Sequence, residues 1–276
     1  MSLDTVTLTA AMRQNVLSLQ TTQAQTDKAE EILSTGKKVN TALDDPIAYF
    51  AAQSYTDRAN DLSNLKDSMN EGIQTVTAAN NGITDIQDLI QQAQSIANSA
   101  LASTSTTQRG QYGTQFTAVL SQITNMAQDS NYGGTNLLQN NSLTVNFNET
   151  GTSTLTINGF SADAVGLAIT GSSSWWKQAG SAGTDKITDS INSQNAATTS
   201  LRTQASNMSN NLAVVNTRLD FTSNMINTLQ TGSDDLTLAD MNQEGADLLT
   251  LQTQQQLGIT ALSLASQAAQ SVLKLF

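Results

Sequence analysis

The side chains that most often carry out enzyme chemistry are missing from this chain. Its 276 residues include no histidine and no cysteine. Their absence excludes thiol nucleophiles, disulfides, Cys/His zinc sites and acid–base catalysis by histidine. Carboxylate, serine or lysine chemistry remains possible in principle, but no glycine-rich phosphate-binding loop precedes a predicted helix. We therefore expect no enzymatic activity, no metal site and no cofactor.

The most concentrated charges lie in "STGKKVNTALDDP", where two lysines precede two aspartates. The glycine can adopt positive φ and end a helix, and the lysines favour the negative end of its dipole. The aspartates and the proline favour the start of the next helix. These charges either cap the two helices or contact a second copy of the chain. We predict an inter-domain turn made by Gly36, Lys38, Asn40, Asp44, Asp45 and Pro46.

The composition restricts the partners and the architecture. A formal net charge of −11 argues against binding nucleic acid or anionic membranes, both of which attract positive proteins. No apolar run reaches the ~18 residues of a membrane span. The N-terminal segment, with Asp4 and no basic region, does not resemble a signal peptide, so export would use another route. A single proline, Pro46, allows long uninterrupted helices.

Apolar residues recur with alternating steps of three and four, which predicts long packed helices. One series predicts a helix from about residue 46 to 103, roughly 85 Å long at ~1.5 Å per residue. From Leu62 it continues through Leu65, Met69, Gly72, Val76, Ala79, Ile83, Ile86, Ile90, Ala93, Ala97 and Ala100. A second series runs from Ile187 to Leu229, and a shorter helix lies around Phe116 and Ile123. We expect the two long helices to cover each other's stripes.

Both ends of the chain carry weaker stripes of the same period. One runs from Leu8 to Leu33 and the other from Leu248 to Phe276, and polar residues or glycine interrupt both. Further leucines lie off the C-terminal stripe, so this segment is apolar around much of its circumference. One partner helix cannot cover such a surface, and we expect burial on several sides.

The middle of the chain changes character. Residues 142–160 alternate with period two around a turn-like "NETGTS", which predicts a β-hairpin. Residues 171–185 are rich in glycine and serine, which predicts a surface connection. Trp175 and Trp176 within it form either a binding patch or a contact with the hairpin. "NET" at Asn148 also matches a glycosylation sequon, which is weak evidence by itself.

Three segments resemble bacterial flagellin. "ILSTGKKVNTALDDPIAYFAAQ" is similar to the flagellin N-terminal signature, in which a terminal helix ends in a Ser-x-Gly turn and an Asp-Asp pair opens a long helix. "DSNYGGTNLL" is similar to the stretch before the family's β-hairpin. "LGITALSLASQAAQSVLKLF" is similar to its apolar C-terminus. The short middle suggests a compact flagellin without large outer domains.

The resemblance implies a mainly α fold: a long antiparallel coiled-coil bundle formed by the N- and C-terminal halves, with a small β-hairpin insertion in the middle. We expect three domains. They are a terminal helical inner core (1–35 with 236–276), a long-helix domain (36–141 with 185–235) and a hairpin with a surface loop at its tip (142–184). In the family, the two terminal segments are disordered in the free monomer and pair as helices inside the tube.

The resemblance also implies a function: a secreted structural subunit that polymerises into the extracellular flagellar filament used for swimming. Two alternatives are a hook–filament junction protein and a secreted α-helical type III tip or adhesin protein. The implied partners are the chain itself, hook-associated junction and cap proteins and an export chaperone. Asp88 and Gln92 stand where the family's receptor-recognised patch carries a basic residue and leucine, so we expect animal innate receptors to recognise the chain poorly.

We predict a polymerisation interface of large apolar side chains in both terminal segments. Its members are Leu3, Val6, Leu8, Leu17, Leu19, Leu251, Leu262, Leu264, Val272, Leu273, Leu275 and Phe276. Surface glycosylation is expected, if anywhere, at Ser172, Ser173 and Ser174, although a plain solvated loop is the alternative.

Overall fold

The computed structural model describes the backbone of residues 10–273 and the side chains of residues 10–271. This part of the chain is mainly helical, with one two-stranded antiparallel sheet near its middle. The elements are α1 (Ala10–Thr35), α2 (Pro46–Ala102), α3 (Thr106–Asp129), β1 (Ser142–Asn146), β2 (Thr154–Asn158), α4 (Ser173–Trp176), α5 (Ser181–Thr237) and α6 (Met241–Leu273). The predicted fold class is confirmed.

Contacts divide the chain into two compact units. The first holds the chain up to Asp57 together with the chain from Thr228 onward, and the second is Arg58–Asn227. The first unit is discontinuous, and the second is one continuous stretch. Helices α2 and α5 each contribute residues to both units. The division into three domains that the sequence suggested remains a prediction.

The core of the second unit is the seam predicted by the heptads. From Met69 to Ala100, the α2 stripe is almost completely buried, and Ile187, Leu201 and Met208 of α5 lie in the same cluster. Gln94 donates to Asn195 at 2.6 Å, which ties the two helices together at their polar edge. The third helix adds Phe116, Ile123 and Ala127 to this core.

One position of the α5 series breaks the apolar rule. Gln194 is 0% exposed, and neither end of its side-chain amide has a hydrogen-bond partner. Burying an amide without a partner costs free energy, because the group gives up its hydrogen bonds to water. Gln194 is therefore a local weakness in an otherwise apolar core.

The predicted hairpin is present and lies along the long helices. Strand β1 pairs with β2 from Ser142 opposite Asn158 to Asn146 opposite Thr154. Beyond the strands, Glu149 accepts from Arg58 of α2 at 2.7 Å, and the Arg218 guanidinium of α5 lies 5.3 Å from the Phe147 ring centre. The Arg58 hydrogen bond lowers the pKa of Glu149. The hairpin thus extends beside these helices rather than only beyond their ends.

The hairpin turn is organised by the asparagine of the predicted sequon. The Asn148 amide donates to the Thr150 and Thr152 hydroxyls at 2.8 and 2.7 Å, and its carbonyl accepts from the Ser153 backbone at 2.9 Å. A glycan on this nitrogen would displace these contacts. The geometry favours a turn-forming role for Asn148.

The prediction of a surface connection over residues 171–185 is wrong at Trp176. Residues 173–176 form the short helix α4, and α5 already begins at Ser181. The Trp176 ring is 0% exposed and lies 4.9 Å, centre to centre, from that of Phe116 in α3, whereas Trp175 is 45% exposed. Trp176 therefore belongs to the core through α3 and not through the hairpin, and the hydrophobic effect overrides the polar character of its neighbours.

In the first unit, two chain reversals are joined by backbone hydrogen bonds. Gly36, with φ of +73°, ends α1 and donates to the Ile32 carbonyl at 2.7 Å. Its own carbonyl accepts from Ala239 at 3.0 Å, and Lys38 donates to Thr237 at 2.8 Å. The loop after α1 is thereby fixed to the loop between α5 and α6, which places the end of α1 beside the start of α6.

The charged residues of this turn act mainly as caps. Asp45, one of the two candidates, accepts from the backbone of Ile47 and Ala48 at 3.0 Å and caps α2. The Lys38 ammonium donates to the Asp235 carbonyl at 2.9 Å, in the last turn of α5. The expected placement of that cation at the end of α1 is thus corrected to the end of α5, where the helix dipole favours it equally.

Asp44 holds the loop between α1 and α2. Its carboxylate accepts from the backbone of Thr41 and Asn40 at 2.9 and 3.2 Å, and it pairs with Lys28 of α1 at 3.2 Å. The Thr41 backbone hydrogen bond and then Lys28 lower the pKa of Asp44 from 3.8 to about 2. Asn40 also donates to Glu31 at 3.4 Å, so the loop has a second side-chain tie to α1.

Replacing the unpaired core amide should stabilise the second unit. We expect Gln194→Met to raise the free energy of unfolding by about 1–3 kcal/mol, because it removes two buried unsatisfied groups while keeping most of the volume. Chemical denaturation followed by circular dichroism measures this change. Gln92→Met, on the exposed face of α2, is the control and should have little effect. A loss of stability in Gln194→Met would show that its amide has a partner.

Asp44 should remain ionised to an unusually low pH. Because its folded pKa is lowered, its contribution to stability is present above about pH 4 and is lost as the pH falls toward 2. Carboxyl ¹³C shifts measured against pH give its midpoint directly. Lys28→Met should raise that midpoint but leave it below 3.8, because the Thr41 backbone contact has the larger influence. A midpoint that does not respond to this substitution would contradict the assignment.

Candidate functional site

The terminal helices α1 and α6 form an antiparallel pair in the first unit. Leu19 of α1 lies against Gly258 of α6, and one turn along, Gln23 accepts a hydrogen bond from Gln255. Nearer the turn, Ala29 and Leu251 line the same groove. As the residue numbers rise in one helix they fall in the other, so the two stripes predicted at the chain ends face each other.

The buried surface of α1 in this pair consists mostly of small side chains. Met12, Thr22, Thr26 and Ala29 are its buried residues. Both threonine hydroxyls donate to carbonyls one turn earlier, at 3.0 and 2.8 Å, so they are buried without loss of hydrogen bonding. Small residues let the helices approach closely, but they bury little apolar area.

No residue of α6 between 241 and 271 is buried. The side that faces α1 is half-buried and includes two polar or small positions, Gln255 and Gly258. The rest of the circumference carries the outer leucine stripe, which we define as Leu249, Leu257 and Leu264; of these, Leu257 borders a groove beside α1. These three are 67%, 64% and 61% exposed. A helix that is apolar on both sides but covered on only one leaves an apolar surface that a further partner could bury.

The predicted interface residues divide into two groups around this pair. Leu19, Leu251 and Leu262 are half-buried on the inner side, whereas Leu17 and Leu264 are 57% and 61% exposed on the outer side. The structure brings the inner residues together within one chain and leaves the outer ones uncovered. The remaining positions lie outside the described side chains: Leu3, Val6, Leu8, Val272, Leu273, Leu275 and Phe276. A role of the whole set in polymerisation stays a prediction.

A second exposed apolar surface was missed from the sequence. Leu43, Ile47 and Phe50 are 96%, 83% and 62% exposed at the start of α2, and we call them the α2 entry patch. Ile47 and Phe50 are three residues apart and lie on one face of α2, whereas Leu43 lies in the turn before this helix. Ile47 and Phe50 could have been recognised from the sequence, because both lie within the helix predicted to begin at about residue 46.

Open grooves accompany the terminal pair. One of about 440 Å³ is lined by residues that include Lys28, Glu244 and Asp247, and another of about 250 Å³ includes Asn15, Ser18 and Leu257. Their mixed polarity lacks the enclosed apolar character of a small-molecule site. Among residues 10–273, acidic side chains do not gather in the groups of three that hold a metal ion. In that same range, no helix has the length and apolar character needed to cross a bilayer.

The serines predicted for glycosylation lie at the start of α4. Ser172 caps this helix by accepting from the Ser174 backbone at 3.3 Å, and the two hydroxyls are 2.7 Å apart. Ser174 is exposed, whereas Ser172 and Ser173 are half-buried. Ser174 is the most accessible of the three, and modification of this segment stays a prediction.

Comparison with known proteins identifies both ends of the chain. Residues 5–143 match the bacterial flagellin N-terminal helical region, and residues 188–276 match the bacterial flagellin C-terminal helical region. No curated protein matches the chain. The two matched regions contain α1, α2 and α3 on one side and most of α5 with α6 on the other. Flagellins are structural proteins that assemble into filaments and not enzymes. With most of its length matched, the chain belongs to the bacterial flagellin family.

Proposed function

We propose that this protein is the subunit of a flagellar filament used for swimming motility. The observation that carries the proposal is the outer leucine stripe of α6, which a single copy leaves more than half exposed at every position. Neighbouring copies in a filament would cover it. Export to the extracellular filament, the junction and cap proteins and an export chaperone follow from the family and are part of the proposal.

The energetics favour assembly over an isolated terminal pair. Fully burying one leucine contributes about 1.5–3 kcal/mol. The three leucines of the stripe are more than half exposed, so neighbours could add several kcal/mol before the entropy of ordering is subtracted. Inside one copy, the buried residues of α1 are one methionine, two threonines and an alanine, and α6 buries none between 241 and 271. We infer that the pair is marginal alone and becomes stable when other copies pack on it, as coupled folding and binding requires.

Two different uncovered surfaces suit an open polymer. The α2 entry patch and the outer leucine stripe belong to different elements and are not copies of one surface. Contacts between unlike surfaces of identical chains generate rings or open helical filaments, whereas a self-complementary surface closes as a dimer. We propose that Leu43, Ile47 and Phe50 contribute a second intersubunit contact.

Replacing two of the three leucines of the outer stripe should weaken assembly without unfolding the protein. We expect Leu257→Ser with Leu264→Ser to raise the critical concentration for salt-induced filament growth at least tenfold, because neighbours lose about one leucine's burial energy or more. Sedimentation and negative-stain electron microscopy measure this. Gln252→Ser with Gln256→Ser, at exposed polar positions of α6, is the matched control and should assemble normally.

Deleting residues 272–276 gives a second test of the same proposal. We expect a soluble monomer whose second unit retains its helical signal and its denaturation midpoint. Normal polymerisation of either the serine variant or the truncation would overturn the assignment of this surface. Short caps or closed oligomers from the unmodified chain would instead favour a junction or tip protein.

A further inference from the structure

In the terminal pair, the large side chain of Leu19 packs closely against Gly258, which has no side chain. A Cβ atom added at Gly258 would lie 2.7 Å from Leu19 Cδ2 and 3.1 Å from its Cγ. Leu19 therefore occupies the space above the glycine backbone. The Gln23–Gln255 hydrogen bond lies one turn away, and Gln23 also donates to Asp27 at 2.6 Å.

The number of leucines does not decide which side of α6 meets α1. The Gln255–Gly258 side that faces α1 carries three half-buried leucines, Leu248, Leu251 and Leu262, and the outer leucine stripe also has three. A rotation that turned Leu257 and Leu264 inward would turn Leu251 and Leu262 outward, so the area of leucine removed from water would change little. The side that is buried is the one that offers a gap for Leu19 and an amide partner for Gln23.

We propose that the Leu19–Gly258 fit, supported by the Gln23–Gln255 hydrogen bond, is the lock that sets the rotation of α6 against α1. Its effect is to hold the outer leucine stripe away from the partner helix of the same chain. Steric fit thereby selects one of two sides that have equal numbers of leucines, much as a polar position fixes the register of a coiled coil. The presentation of the stripe to other copies rests on the proposed function, whereas the lock itself does not.

The chain offers a matched pair of substitutions for the test. Gly258→Ala and Gly245→Ala change the same residue type in the same helix, and both should gain helix propensity. A Cβ at Gly245 meets no atom within 4 Å, so only the first substitution collides with Leu19. Leu19→Ala in the Gly258→Ala background removes that collision.

Because the chain has no cysteine, an engineered disulfide reports the rotation directly. Thr26→Cys and Leu251→Cys lie one turn from Gln23 and Gln255 on the facing sides and should form a crosslink within one chain. In the full-length protein under assembly salt, we expect Gly258→Ala to slow this crosslink at least fivefold. Gly245→Ala should leave its rate unchanged, and Leu19→Ala with Gly258→Ala should recover it.

Equal crosslinking rates in the two glycine variants would overturn the lock, as would a failure of Leu19→Ala to rescue. The filament critical concentration, measured on the same variants without the cysteines, separates the two proposals. If the unmodified chain crosslinks as expected but never polymerises, the lock stands and the proposed function fails. If Gly258→Ala crosslinks normally yet assembles poorly, the lock is overturned and the surface of α6 affects assembly by another route.

Discussion

The structure depends on a mismatch between the apolar surface of α6 and the cover that one chain provides for it. The helix is apolar around much of its circumference, yet none of its residues between 241 and 271 is buried. The residues that its neighbour α1 buries are Met12, Thr22, Thr26 and Ala29, of which only the methionine is large and apolar. The hydrophobic effect scales with area removed from water, so the pair as it stands leaves most of its available stabilisation unused. A second copy is the simplest source of the missing cover.

The remaining features hold that exposed surface in a defined place. Backbone hydrogen bonds between Gly36 and Ala239 and between Lys38 and Thr237 fix the end of α1 beside the start of α6. Asp44 adds a charged tie between the loop and α1. The second unit needs no such device, because its long helices bury a continuous seam and α3 closes it with Phe116 against Trp176. A self-sufficient unit and an incompletely covered one are what a polymerising subunit requires.

The sequence predicted the elements better than it predicted their partners. Long unbroken heptads place both ends of α2 within one residue, and the Ile187–Leu229 series lies within the longer α5, because periodic apolar spacing is a local signal. Trp176 was placed on the surface because its neighbours are glycine and serine, and only the packing of α3 shows that it is buried. Lys38 was assigned to the nearest helix end, whereas its acceptor lies 197 residues away. Within α6 the heptad spacing already separated Leu251 and Leu262, which are half-buried, from Leu257 and Leu264, which are exposed. The close approach of Leu19 to Gly258 was not visible in the sequence.

The central claim is that a single copy cannot cover its own terminal helices and that neighbouring copies in the filament cover them. It is tested most directly by a single cysteine, Leu264→Cys, in the otherwise cysteine-free chain, alkylated before and after salt-induced assembly. The account predicts fast reaction in the free protein and at least tenfold slower reaction in filaments. A cysteine that is already protected in the free protein, or that reacts equally fast in both states, would contradict it.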